Sequence, residues 1–211
     1  MNEPAPTPSP KPLKRVDFYF DLSSPYSYMA ATQLEPLAAR NHAQVFWKPM
    51  ALGAIFKATG NVMPAACPPK ATYMLQDLSR WAAHYGVPFR FSSRFPISSL
   101  RAMRLVVAAG LASGSDTGHP GLAKALFHAA WADDRDLGSD AELRAICADL
   151  GLPADPLLAA CDTPAVKDRL RALGDEALAR GVFGAPAIFV SDELFFGNDR
   201  LDFVEAALRR S

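Results

Sequence analysis

The sequence is poor in cysteine, with three in 211 residues, and Cys67, Cys147 and Cys161 form no Cys-x-x-Cys pair. An odd, scattered set argues against a disulfide framework and fits a reducing compartment. Charge of one sign is lacking too: 22 Lys and Arg balance 22 Asp and Glu. A neutral chain offers no electrostatic reason to expect nucleic acid or an anionic membrane as partner. It carries no zinc-finger, helix-turn-helix or RNA-binding signature, and no metal is expected. No run of 18 apolar residues occurs, which excludes a membrane-spanning helix. No apolar segment precedes the first basic residues, so no secretory signal is expected. These absences together predict a cytoplasmic protein.

What is there is a chain half hydrophobic, long enough for one large domain or a small domain carrying an insertion. Residues 1–14 hold prolines at every second position from 4 to 12. Such segments stay extended and seldom join a core, so a disordered tail is expected. The run VDFYF at residues 16–20 is β-branched and aromatic and predicts a buried strand. DLSSP follows, and Ser24-Pro25 marks the start of a helix over residues 26–40. AQVFWKP at 43–49 predicts a second strand, so the chain opens β-α-β, which favours a parallel pair.

From residue 61 to 180 strand signals are few. Helical periods cover 71–86, 100–111, 121–132, 141–150 and 164–180, punctuated by Gly and Pro. Strand character returns in GAPAIFV, then a turn at Ser191–Glu193, then LFF, an antiparallel hairpin followed by a helix over 201–210. The expected fold is α/β: a thioredoxin-like domain formed by residues 15–60 and 181–211, with an all-helical domain, 61–180, inserted.

Four constellations could carry chemistry. At Asp21–Tyr28 a strand runs into a helix, where free N–H groups and the helix dipole favour an anion, and a thiolate is an anion. No cysteine stands there, so a dithiol reaction by that route is excluded. The Ser24 hydroxyl could instead donate to the thiolate of a bound thiol; its ordinary reading is an N-cap. Gly184-Ala185-Pro186 precedes a strand. It is an ordinary strand start, or a cis-proline that presents the Ala185 backbone to an extended peptide. Phe196-Gly197-Asn198-Asp199 reads as a turn with Asp199 capping the last helix, or as a binder of α-amino and α-carboxylate groups. Lys57 and Lys70 flank Gly60-Asn61 in irregular sequence, either solvated or an anion site.

In this order, VDFYFDLSSPYSY, KATGN, PPK, YMLQDLSRWAAHYGVPF and GVFGAPAIFVSDELFFGNDR resemble the 2-hydroxychromene-2-carboxylate isomerases. That family is related to kappa-class glutathione transferases and, further off, to DsbA-type proteins. The resemblance spans about residues 16–209 and implies glutathione as cofactor. It implies that Ser24 activates the thiol, that Ala185 before Pro186 pairs with the glutathione backbone, and that Asn198 and Asp199 hold its γ-glutamyl end. Asn61, Pro68 and Lys70 match positions lining the glutathione site in the kappa branch. Lys57 falls near a substrate-binding lysine, and Phe95 stands where an aromatic hydroxyl is expected beside the substrate. The implied activity is cis-trans isomerisation of a small aromatic keto acid by a homodimer. A kappa-like transferase and a non-catalytic thioredoxin-fold binding protein are the alternatives.

Overall fold

The protein is described here from a computed structural model that covers residues 13–210. Strand β1, Lys14–Phe20, runs parallel to β2, Ala43–Pro49, and helix α1, Pro25–Arg40, connects them. Helix α2, Leu52–Thr59, and a 3-10 turn, Pro64–Ala66, follow. Then come α3, Pro68–Tyr85; α4, Leu100–Ala112; α5, Pro120–Trp131; α6, Asp140–Asp149; α7, Ala154–Ala160; and α8, Pro164–Ala179. Strands β3, Ala187–Val190, and β4, Glu193–Phe196, form the hairpin, and a 3-10 turn, Asn198–Arg200, leads into α9, Leu201–Arg210. The sheet order is β2-β1-β3-β4, with β1–β3 and β3–β4 antiparallel.

The central strand β1 is buried from Val16 to Phe20 on both faces, which is why it reads as a continuous apolar run. Alternation sends Phe18 and Phe20 to one side. There both rings meet Trp47 edge-on, at 5.2 and 5.6 Å between centroids, and Phe20 also meets Phe127 of α5. This larger core takes in α1, α3 to α8 and α9. Tyr19 points the other way, into a smaller cluster with Met50, Ile55 of α2, Ala177 of α8, Val182, Ala187 and Phe189.

Helix starts at Pro25, Pro68, Pro120 and Pro164 place proline in the first turn, where its missing N–H costs nothing. Three differences from the sequence reading stand out. β1 begins at Lys14, whose Cα partner is Ala43, so the strand takes the last residue assigned to the tail. The rest of that tail, residues 1–12, lies outside the described residues. Residues 52–59, which hold Lys57, are helical rather than irregular, and residues 154–160 form a further short helix.

Candidate active site

The turn between β1 and α1 is built on two hydrogen bonds of one serine. Ser24 has extended backbone angles and caps α1: its Oγ accepts from the Ser27 N–H at 3.1 Å, and its carbonyl accepts from the Tyr28 N–H at 3.2 Å. Pro25 has no N–H to satisfy. The Tyr26 N–H therefore stays without an acceptor among the described residues, at the positive end of a 16-residue helix. The Ser24 hydroxyl proton is free of the cap, because capping uses the oxygen as acceptor. It is directed across the molecule to the Ala185 carbonyl, at 3.3 Å.

That contact brings the second constellation to the first. The Ala185–Pro186 peptide is cis. Among the described residues the Ala185 N–H has no acceptor, and its carbonyl has no donor but Ser24. The Pro186 carbonyl accepts from the Gly197 N–H at 3.0 Å, which tethers the Asn198–Asp199 turn to the same place. Gly197 has φ 101°, and the Asp199 carboxylate occupies the space a Cβ would take, so only glycine fits. Asn198 is buried, and its carbonyl accepts from the Tyr85 hydroxyl at 2.8 Å. Asp199 is exposed and pairs with Arg200 at 2.5 Å. It makes no side-chain cap, so the plain reading of Asp199 as cap of the last helix is corrected. Asn61 donates its amide to the Phe183 carbonyl at 2.9 Å, two residues before Ala185.

Ser24, Asn61, Ala185, Pro186, Asn198 and Asp199 thus form one connected region. Pro68 and Lys70 lie exposed in the first turn of α3, and Lys57 lies exposed in the last turn of α2. Neither lysine is hydrogen-bonded or ion-paired within the described residues. Phe95 is half-buried and reaches the turn at one remove. Its ring lies 5.0 Å from Phe91 and 6.4 Å from Trp131, and the Trp131 indole donates to the Leu22 carbonyl at 2.9 Å.

Two residues escaped the sequence reading. Trp131 looked like any apolar helical residue. Asp77 accepts from the Tyr26 hydroxyl at 2.9 Å. Burial first, then Asp77, pushes the Tyr26 phenol well above its ordinary range, so it stays neutral and donates. A pairing of residues 51 positions apart leaves no mark in sequence.

Strand order, the serine turn and the facing cis-proline define a thioredoxin-fold protein without the redox cysteine. Comparison with known proteins narrows that class. The sequence model of the DSBA-like thioredoxin domain matches residues 15–209. A 2-hydroxychromene-2-carboxylate isomerase of Sphingobium xenophagum is 39% identical over 197 residues, covering 92% of this chain and 98% of its own. Glutathione S-transferase kappa 2 of Caenorhabditis elegans is 29% identical over 201 residues, 89% of this chain and 88% of its own. A solved 2-hydroxychromene-2-carboxylate isomerase superposes with a TM-score of 0.81 at 28% identity, covering 93% of this chain and 95% of that one. The chain belongs to the 2-hydroxychromene-2-carboxylate isomerase family of enzymes, on a DsbA-like thioredoxin fold.

Proposed function

We propose that the chain is a glutathione-dependent cis-trans isomerase of 2-hydroxychromene-2-carboxylate-type aromatic keto acids. The observation that carries this reading is the Ser24 hydroxyl, which donates across to Ala185 at the start of α1, where no cysteine stands. The backbone also fits a tripeptide thiol. The N–H of Ala185, a half-buried residue, is unpartnered among the described residues and offers an extended peptide a strand-like partner.

Held there, glutathione would supply a thiolate for reversible addition to a conjugated carbon, the π pair passing to the conjugated carbonyl and returning when the thiolate is eliminated, so that the intervening bond can rotate. Ser24 turns its hydroxyl from Ala185 to the sulfur, and the free Tyr26 N–H and the helix dipole add to the stabilisation of negative charge. Asp199 takes the α-amino group of the γ-glutamyl end, with Asn198 fixing the turn. Asn61 holds the loop before Ala185. Pro68 and Lys70 close the side formed by α3. Lys57 receives the substrate carboxylate as a point charge, and Phe95 packs against the aromatic ring. The enzyme works as a homodimer in the cytoplasm, the compartment that keeps thiols free; Cys67, Cys147 and Cys161 are unpaired.

The kappa-class relatives favour a second reading, conjugation of the thiol to an electrophile. One assay separates the two: the protein is incubated with glutathione and 2-hydroxychromene-2-carboxylate, and both product absorbance and free thiol are followed. Isomerase action predicts product that depends on glutathione with no loss of thiol. Thiol consumed mole for mole with product means transferase, and glutathione bound without product means a binding protein.

A further inference from the structure

Asp21 belongs to the same turn. The residue is 4% exposed, and a buried carboxyl group needs its lone pairs satisfied. Oδ1 accepts from the Ser23 N–H at 2.9 Å and from the Ser99 hydroxyl at 2.7 Å. Oδ2 accepts from the Leu52 N–H at 2.8 Å. Its carbonyl accepts from the Ser24 N–H at 3.0 Å. No cation pairs with Asp21 among the described residues.

The three groups that donate to this carboxyl, two backbone N–H groups and one hydroxyl, come from three separate segments. Ser23 adjoins Ser24. Leu52 opens α2, the helix that carries Lys57. The N-cap of α2 is Ala51, which has no side chain to cap with, so Asp21 caps that helix from outside. Ser99 sits at the N-cap of α4, yet it makes no side-chain cap there. Its hydroxyl goes to Asp21 instead, which ties down the segment that follows Phe95 and Pro96.

We propose that Asp21 is a positioning residue. It holds the turn bearing Ser24, the helix bearing Lys57 and the segment bearing Phe95 in one fixed arrangement, so that the thiolate partner and the substrate contacts keep register. The inference rests on the reading of Ser24 as thiolate partner. Its geometry makes asparagine a demanding substitute. Whichever way the amide is turned, its NH2 group faces a backbone N–H, either that of Ser23 or that of Leu52. One of those segments must then move, and a displacement of about 1 Å at a reacting group can lower a rate on the order of a hundredfold.

The test is a double-mutant comparison. Asp21→Asn and Ser99→Ala are each made in the wild type and in Ser24→Ala. Folding is checked by circular dichroism, the thiol pKa of bound glutathione is read by ultraviolet absorbance, and turnover is measured. In the wild-type background, Asp21→Asn raises the bound thiol pKa and lowers turnover roughly ten- to a hundredfold. Ser99→Ala shifts both the same way but less. In the Ser24→Ala background either variant moves the thiol pKa much less, because the main group they position is gone and only the Tyr26 N–H and the helix dipole remain. Equal pKa shifts in both backgrounds, or lost turnover with an unmoved thiol pKa, overturn the proposal. If Asp21→Asn does not fold, the Ser99→Ala pair decides by the same criteria. A wild type that binds glutathione without lowering its thiol pKa refutes the functional reading itself, and this proposal with it.

Discussion

Ser24 joins two roles that substitution can separate. As a cap it accepts from Ser27, and its loss costs about 0.5–2 kcal/mol of stability. In its proposed role as donor to a bound thiol it favours the thiolate over the thiol, so its loss should also raise the bound thiol pKa and move the pH–rate profile to higher pH. Ser24→Ala is expected to do both, as read by thermal unfolding and by turnover across pH. Ser27 is the control. Its Oγ is buried with no partner, and a buried unsatisfied hydroxyl costs about 1–3 kcal/mol. Ser27→Ala should therefore unfold at the same temperature or higher and leave turnover unchanged. The thiols are also bystanders. Burial pushes the Cys161 thiol up to about 11 and raises that of Cys147, which keeps both protonated and unreactive. Cys67 is exposed but lies outside the connected region around Ser24. Cys67→Ser should retain turnover, and a loss of activity there would place a thiol of the chain in the chemistry.

At the scale of elements, the helices that were legible are those that carry their own start signals. Pro25, Pro120 and Pro164 follow Ser24, His119 and Thr163, each a side-chain cap. The start signal of α2 is not local: Ala51 cannot cap, and Asp21, 31 positions before Leu52, does so. The site divides in the same way. Ser24 could be read at a strand-to-helix turn, whereas its bond to Ala185, 161 positions away, appears only when the sheet brings β1 beside β3. The resemblance to a family named both residues without showing why they meet. Close approach of elements makes a further prediction. In α4, a Cβ on Gly110 would run into the Thr117 carbonyl. Because a backbone group cannot turn aside as a side chain can, Gly110→Ala should cost about 1–3 kcal/mol in denaturant unfolding.

At the scale of the molecule, the sheet is locked to α8 by charge as well as by apolar packing. Lys48 is buried and contacts Asp17 at 3.3 Å and Glu176 at 2.5 Å, while Arg180 reaches Asp17 at 2.7 Å. Burial raises the Asp17 pKa, but hydrogen bonds from Arg15 and Arg180 and the charge of Lys48 outweigh it, leaving a value below the ordinary 3.8. Burial and Lys48 oppose each other in the same way at Glu176, which ends below its ordinary 4.5. A folded pKa below the unfolded one means stabilisation that is complete above the ordinary values and is lost as pH falls through the depressed ones. Lys48 has the opposite sign: burial lowers it, its acidic partners prevail, and its stabilisation is lost as pH rises past the ordinary 10.5. Unfolding free energy should therefore be flat between these limits and fall at both ends. Lys48→Met leaves Asp17 to Arg15 and Arg180 and Glu176 to the Tyr19 hydroxyl, at a cost of about 1–3 kcal/mol. A loss within experimental error would show the network to be dispensable.

The central claim is that this chain, without a cysteine at the turn, holds another molecule's thiol as a thiolate at the start of α1. Ultraviolet difference titration of bound glutathione measures this directly. The account predicts that the thiolate absorbance of the wild-type complex appears at lower pH than that of free glutathione, and that Ser24→Ala moves it back toward the free value. A bound thiol that titrates like the free one, unchanged by Ser24→Ala, would contradict the account and leave Ser24 a helix cap alone.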